Sequence, residues 1–219
     1  MKSTQASTIL DEASSPATAT YEDRKSEFIA EACHVESAQE ALAFVEAVRQ
    51  RNPKARHVAY ATIWGGGAGA GERMSDDGEP SGTAGKPIFD VLRAGGLTDC
   101  VVTVTRYFGG ILLGSGGLVR AYSSAASSAI AAAHHAAIVE AVRLRLVVPY
   151  ALRERMVRIL ADCGGRVADE QFTDVVTQDV DVPCDAVEPF EAQVREVTAA
   201  GVTPQRVGES RLVRGMGGE

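Results

Sequence analysis

The pattern of hydrophobic and polar positions divides the first half of the chain into strands and helices of ordinary length. Phe28–Val35, His57–Trp64 and Cys100–Tyr107 predict strands, and the last of them is β-branched almost throughout. Between the first two strands, Ser37 and Glu40 form a Ser-x-x-Glu capping box, and apolar residues follow at helical spacing. The sequence therefore predicts strands interleaved with helices in this half of the chain.

From about residue 137 the pattern starts again. Val139–Val148 and Val175–Val182 alternate apolar and polar side chains, as strands buried on one face do. The other elements predicted in this half are helices at 149–163 and 186–200 and strands at 166–172 and 203–212. Their order, β-α-β-β-α-β, is that of the ferredoxin-like motif. We therefore expect an α+β protein with two domains, 21–137 and 138–213.

Composition limits the classes of function that remain. The chain has 219 residues and a net charge of −7, so its overall field does not attract nucleic acid. Its four cysteines form no CxxC pair, which predicts free thiols. Residues 1–20 and 214–219 predict flexible tails, and the first does not have the pattern of a secretory signal. Since no apolar run approaches the roughly 20 residues of a membrane helix, we expect a cytoplasmic protein without a membrane partner. We also expect no cofactor.

Glycine is concentrated on both sides of the strand Cys100–Tyr107. The segment 65–71 reads GGGAGAG and predicts a loop, and five residues of 72–87 are Gly or Pro, which predicts irregular structure. After the strand, a second glycine-rich loop runs into a long helix that begins near Leu118. Because the first N–H groups of a helix are unpaired and carry a partial positive charge, this second loop is a candidate anion site.

Basic residues near these loops supply the positive charge that the whole chain lacks. Arg106 lies just before the second loop, Arg120 lies one turn into the helix, and Lys86 ends the first loop. The candidate ligand- or phosphate-binding residues are Arg106, Arg120, Lys86, Gly109, Gly110, Gly114, Gly116, Gly117, Ser115, Ser81, Gly82 and Thr83. The residues expected to complete a shared pocket are His57, Asp76, Asp77, Glu79 and Tyr107. We expect the cleft to be lined by 75–86 and 106–120.

These candidates also have an interpretation without a ligand. Arg106 and Arg120 could pair with the acidic residues of the first loop and hold the two loops together. Tyr107 and Phe108 offer a platform on which a base could stack, but a strand end also needs aromatic packing. The loops match neither the phosphate-binding pattern GxxxxGK[ST] nor the dinucleotide pattern GxGxxG with its acidic strand end.

An enzyme is a further alternative. Asp76, Asp77 and Glu79 could bind Mg²⁺ together with a substrate phosphate. Ser81 or Ser115 could act as a nucleophile. Ser115 is one residue short of the GxSxG pattern, however, and no histidine follows it as a strong partner. We therefore favour a binding protein without catalytic activity, and expect no metal site.

Two long runs carry a family resemblance. RMSDDGEPSGTAGKPI at 73–88 and VTRYFGGILLGSGGLVRAY at 104–122 resemble the YigZ/IMPACT family, and the similarity covers most of 21–135. The resemblance implies an N-terminal domain like the second domain of the fifth small-subunit ribosomal protein. For 139–211 it implies a domain like the last domain of elongation factor G.

The resemblance also implies a function. Eukaryotic relatives regulate translation during amino-acid starvation by competing for a ribosome-associated activator of a stress kinase. We therefore expect a translation-associated regulator, active in a stress response, whose partner is RNA, the ribosome or a translation-associated protein. A protein-binding module with no nucleic-acid role is the alternative, and it fits the net charge of −7 better.

Overall fold

The computed structural model describes residues 6–65 and 70–215. The described residues fall into two compact units, of which the first runs to Ala137 and the second spans Ile138–Arg214. Each unit combines an antiparallel sheet with helices, so the protein is a mixed α and β structure. No helix in the described part is long and apolar enough to cross a membrane.

The first unit is built on a five-stranded antiparallel sheet. The strands of the unit are β1 (Ser7–Ile9), β2 (Ala17–Asp23), β3 (Ser26–His34), β4 (His57–Trp64), β5 (Gly71–Ser75) and β6 (Cys100–Tyr107), and all but β1 belong to this sheet. Its helices are α1 (Ala38–Arg51), α2 (Gly85–Ala94) and α3 (Ser115–Ala132). The sheet order is β2-β3-β6-β4-β5, while β1 pairs with the start of a later strand. The predicted bounds of β4 and β6 are confirmed.

Helices cover both faces of this sheet. One face packs on α2 and α3, where Ile88, Leu92 and Tyr122 join the apolar residues of β3, β4 and β6. The other face packs on α1 through Phe44 and Val48. Ser37 caps α1 as predicted, with the Glu40 N–H donating to its hydroxyl at 3.2 Å, while the Glu40 carboxylate accepts from the Glu36 N–H at 2.8 Å, one residue before the cap. Ala121, Ala125, Ala126 and Ala129 of α3 are fully buried, and their single methyl groups let the helix and the strands approach closely.

Two expectations for this unit are wrong. Residues 72–75 are part of strand β5, which pairs with β4 although its side chains are mostly exposed. Residues 1–20 are not a tail as a whole, because β1 and the start of β2 lie within them and the Ser7 N–H donates to the Gly96 carbonyl oxygen. β1 is held by hydrogen bonds to distant backbone, whereas β2 and β5 are held by pairing with the neighbouring strands β3 and β4, and hydrophobic periodicity reveals neither kind of pairing. Residues 1–5 and 66–69, which belong to the predicted tail and loop, lie outside the described residues.

The second unit has the predicted order of elements. It contains β7 (His135–Val148), α4 (Tyr150–Asp162), β8 (Arg166–Phe172), β9 (Val176–Pro183), α5 (Val187–Val197) and β10 (Gln205–Gly215). The sheet order is β10-β7-β9-β8. Leu144, Leu146 and Val148 of β7 alternate into a core shared with α4 and α5, which confirms the interpretation of the alternating pattern. The strand β10 includes residues 214 and 215 of the predicted tail, and residues 216–219 lie outside the described part.

Candidate functional site

Three neighbouring strands of the first unit bring the candidate residues together at one end of the sheet. Arg106, near the end of β6, is paired with Phe28 of β3 on one side and with His57 of β4 on the other. Because directly paired residues of antiparallel strands point to the same face, these three side chains form a row. The row lies on the face that packs on α2 and α3.

Arg106 forms a buried ion pair with Glu79. Its Nη1 donates to Oε1 of Glu79 at 2.7 Å, and the two side chains are 9% and 3% exposed. The hydroxyl of Tyr122 on α3 donates to the same oxygen at 2.8 Å, and burial together with the Glu79 charge raises the pKa of Tyr122 well above its usual range. The pair thus links the first glycine-rich loop to β6 and α3. This is the pairing of Arg106 with an acid of that loop that the sequence suggests as the alternative to ligand binding.

The guanidinium of Arg106 also faces two aromatic rings. Its Cζ lies 5.6 Å from the ring centroid of Phe28 and 5.6 Å from that of Phe108. Phe28 is fully buried, whereas Phe108 is 50% exposed. A cation near the face of an aromatic ring is attracted by its quadrupole, so Arg106 holds the exposed ring of Phe108 in place at the surface.

His57 has one ring nitrogen fixed by the backbone. Its Nδ1 lies 2.7 Å from the Asp77 carbonyl oxygen, and since a carbonyl only accepts, Nδ1 carries the hydrogen. In the neutral ring Nε2 is therefore the acceptor. The Asp77 carboxylate is committed elsewhere, since Oδ1 accepts from Arg49 at 2.5 Å and Oδ2 from the Val58 N–H at 2.6 Å.

Asp76 occupies the position that an anion would take at the start of α2. Its carboxylate accepts the backbone N–H groups of Gly82, Ala84 and Gly85 at 2.8, 3.0 and 2.8 Å. Burial tends to raise the pKa of Asp76, but these three hydrogen bonds outweigh it and hold the pKa below its usual range. The amides around Ser81 and Thr83, expected to bind phosphate, thus already serve a carboxylate of the same chain.

The second loop owes two of its glycines to close packing. A Cβ at Gly109 would lie 2.0 Å from the backbone of Lys25, and one at Gly117 would lie 2.9 Å from Cβ of Leu113. Gly110 and Gly114 have positive φ values of 86° and 72°, a region that favours glycine. Gly116 meets no such restriction, because its nearest neighbour would be the Arg120 guanidinium at 3.7 Å.

A cleft of about 410 Å³ opens beside this row of side chains. The residues that line it are Lys54, Arg56, His57, Arg106, Tyr107, Phe108 and Leu112. Lys54 and Arg56 are exposed, and no carboxylate in the described part of the chain forms an ion pair with either. Tyr107 is held by its hydroxyl, which donates to Oδ1 of Asn52 at 2.8 Å. The cleft thus combines the unpaired cations Lys54 and Arg56 with the exposed ring of Phe108.

The lining differs from the expected one. Of the predicted residues, Arg106, His57 and Tyr107 line the cleft, while no residue of 75–86 does. Lys86 is instead paired with Asp90 one turn along α2, with Nζ 2.6 Å from Oδ2. Arg120 is exposed on α3 and lies over Gly116. These two side chains therefore do not converge on the cleft with Arg106.

Sequence reasoning missed Lys54 and Arg56, whereas Leu112 lies within the expected lining range 106–120. A signal for the first two is present, because residues 49–57 read RQRNPKARH and hold four Lys or Arg residues, one His and no acid. Their place beside Arg106 follows from the pairing of β4 with β6, which joins residues about 50 positions apart.

Comparison with known proteins identifies the family. Residues 24–130 match the Impact N-terminal domain, and residues 146–200 match DUF1949, a domain of unknown function. The IMPACT family member YigZ of Escherichia coli (strain K12) is 34% identical over 184 residues, which cover 83% of this chain and 89% of YigZ. This chain belongs to the IMPACT family.

Other IMPACT family proteins match a shorter part of the chain. The family member YvyE of Bacillus subtilis (strain 168) is 40% identical over 123 residues, which is 56% of this chain and 55% of YvyE. A crystal structure described as that of a hypothetical protein matches with a TM-score of 0.68 and 30% identity, and it covers 98% of this chain and 99% of its own. The fold is therefore shared with a solved structure over nearly the whole chain.

Proposed function

We propose that this IMPACT family member is a non-enzymatic regulator associated with translation, and that its cleft binds the phosphate and base of a nucleotide, free or within RNA. The observation that carries the proposal is the combination of Lys54, Arg56 and Phe108 in one cleft. Cations attract phosphate, and an exposed aromatic ring offers a face on which a base stacks. The local positive charge offsets the net charge of −7, which gives no general attraction to nucleic acid.

The contacts of the acidic loop support binding over metal-assisted chemistry. Asp76 accepts three backbone N–H groups, Asp77 accepts from Arg49 and Val58, and Glu79 accepts from Arg106 and Tyr122. Carboxylates engaged in this way have few lone pairs left for a cation. Ser115 is exposed at the first turn of α3, and the hydrogen bonds of His34, His57, His134 and His135 go to other residues.

The glycine-rich turn before α3 is a proposed secondary phosphate contact. The helix begins after Gly114 with no side-chain cap and no acid in its first turn, so its first N–H groups face solvent or a ligand. Arg120 lies nearby, as its approach to Gly116 shows. The single variant Arg120→Ala tests this contribution separately from the cleft.

The direct test is the binding of a single-stranded RNA octamer, measured by fluorescence anisotropy with the full chain. We expect Lys54→Ala/Arg56→Ala to weaken binding at least tenfold, because two phosphate contacts are removed. The matched control is Arg155→Ala/Arg158→Ala, which removes the same charge from exposed positions of α4 that do not line the cleft. Equal affinity of the two double variants would refute the cleft as the binding site.

A protein-binding module is the second candidate, and one observation favours it. Ile111 and Leu112, next to Phe108 in the second loop, are 43% and 80% exposed, and exposed apolar side chains that cluster often mark an interface. Salt separates the candidates, because phosphate contacts weaken steeply as salt rises while apolar contacts do not. A pull-down from lysate with and without nuclease distinguishes an RNA partner from a protein bound directly.

A further inference from the structure

A second hollow lies at the end of α1 and shares one lining residue with the cleft. This hollow has a volume of about 190 Å³, and its lining includes Arg49, Asn52, Arg56 and Asp77. Arg56 lines both hollows.

The charges of the second hollow suit a phosphodiester more than a base. Arg56 brings a guanidinium group, and planar guanidinium groups bind phosphate oxygens in pairs of hydrogen bonds. Asp77 is the acid in this hollow, and its oxygens already accept from Arg49 and from the Val58 N–H. Arg56 has no ion-pair partner among the residues that the structure describes, so its charge is available to a ligand.

The sizes of the two hollows divide the ligand between them. Pockets for small ligands have volumes of roughly 300–1,000 Å³. The first hollow, at about 410 Å³, falls within that range, whereas the second, at about 190 Å³, does not reach it. The first hollow thus has the size of a small-ligand pocket, and the second is too small to hold more than part of a neighbouring nucleotide.

From this arrangement we infer that the ligand is a single strand of at least two nucleotides, with one base on Phe108 and the phosphate between two nucleotides at Arg56. This inference rests on the proposed function and narrows its ligand from a nucleotide to a strand. The strand is single because a base paired and stacked within a duplex does not present its face to a side chain. The second hollow then holds the continuing backbone beside Arg49.

The test measures affinity against ligand length, by isothermal titration calorimetry on the full chain. The probes are uridine monophosphate, a uridine dinucleotide with a 5′ phosphate, a uridine tetranucleotide, and a blunt-ended RNA duplex without a loop. We expect at least a tenfold gain from the mononucleotide to the dinucleotide, and weaker binding of the duplex than of the tetranucleotide.

Arg56→Ala is expected to remove most of the gain in affinity with length. For the tetranucleotide, its slope of log K against log salt should be shallower than that of the wild type by about 0.7, the value for one phosphate contact on a single strand. Arg56→Lys should recover part of the gain by keeping the charge, and Arg155→Ala should match the wild type. If all lengths bind with equal affinity, the strand is refuted while the nucleotide site stands. If the duplex binds as tightly as the tetranucleotide, the single-stranded ligand is refuted. If no probe binds, the proposed function fails as well.

Discussion

Arg106 and Glu79 are joined by an ion pair that is nearly removed from solvent, with Nη1 of the arginine 2.7 Å from Oε1 of the glutamate. The pair links β6 to the acidic loop and lies against the exposed ring of Phe108 through the guanidinium. The ion pair therefore holds Arg106, and through it the ring of Phe108, at the edge of the cleft. Arg106 acts on a ligand chiefly by holding Phe108, while the exposed Lys54 and Arg56 meet the phosphates.

Replacing Glu79 by Gln should destabilise the protein strongly. The change leaves the Arg106 charge buried without its counter-charge, and breaking a buried ion pair in this way costs about 3–5 kcal/mol. Urea-induced unfolding of the full chain at pH 7 measures the loss. Lys86→Ala is the control, because its pair with Asp90 is 59% and 56% exposed and such pairs contribute about 0.3–0.5 kcal/mol. A loss for Glu79→Gln no larger than that of the control would contradict the structural role of this pair.

Asp76→Asn should lower stability in a way that depends on pH. The native pKa of Asp76 is held below its usual value, so the unfolded chain, with a carboxyl pKa of about 3.9, binds the proton first as the pH falls. The stabilising contribution is thus fully present above the unfolded pKa and is lost as the pH falls through the native pKa. We expect a difference from wild type of about 1–2 kcal/mol at pH 7, which narrows between pH 5 and pH 3. A difference that stays constant over this range would show that the Asp76 charge does not stabilise the start of α2.

Two glycines of the second loop should respond in opposite ways to alanine. A Cβ at Gly109 would lie 2.0 Å from the backbone of Lys25, so Gly109→Ala must displace the β2–β3 turn and should cost at least about 2 kcal/mol. Gly116 has open space and lies in the first turn of α3, where alanine is the better helix former by up to about 1 kcal/mol. Thermal unfolding of both variants checks the prediction. Equal losses for the two would mean that close packing does not explain Gly109.

Phe108→Ala should weaken RNA binding without unfolding the protein. The loss of one base–aromatic stack is expected to cost about 1–3 kcal/mol of binding free energy, and a ring that is 50% exposed adds little to the core. Phe172→Ala is the matched control, since that ring is 56% exposed on β8 in the second unit. Anisotropy titrations give both affinities. An unchanged affinity of Phe108→Ala would remove base stacking from the account.

The sequence predicted the elements whose signals are local. The Ser37 capping box, the β-branched strand β6 and the alternating strand β7 each carry the pattern that their environment imposes. It did not predict β5, because the side chains of Gly71–Ser75 are mostly exposed and backbone pairing with β4 decides the conformation. A strand of this kind has no hydrophobic period to detect.

The lining of the cleft was predicted only in part, because it also depends on the pairing of strands. Arg106, His57 and Tyr107 were recognisable as polar or aromatic residues at strand ends. Lys54 and Arg56 lie in the turn before β4, and they reach the cleft through the pairing of His57 with Arg106. Without that register, the basic run at 49–57 is indistinguishable from a solvated surface turn. The role of Asp76 in satisfying the amides of the first loop was likewise invisible, because it depends on the path of the loop.

The salt dependence of RNA binding tests the central claim most directly. The equilibrium constant of the single-stranded octamer would be measured for the wild type and for Lys54→Ala/Arg56→Ala at several salt concentrations. Each phosphate contact adds about −0.7 to the slope of log K against log salt, so the account predicts that the double variant has a slope shallower by about 1.4. Arg155→Ala/Arg158→Ala should keep the wild-type slope. Identical slopes for the wild type and Lys54→Ala/Arg56→Ala would contradict the proposal that this cleft binds phosphate.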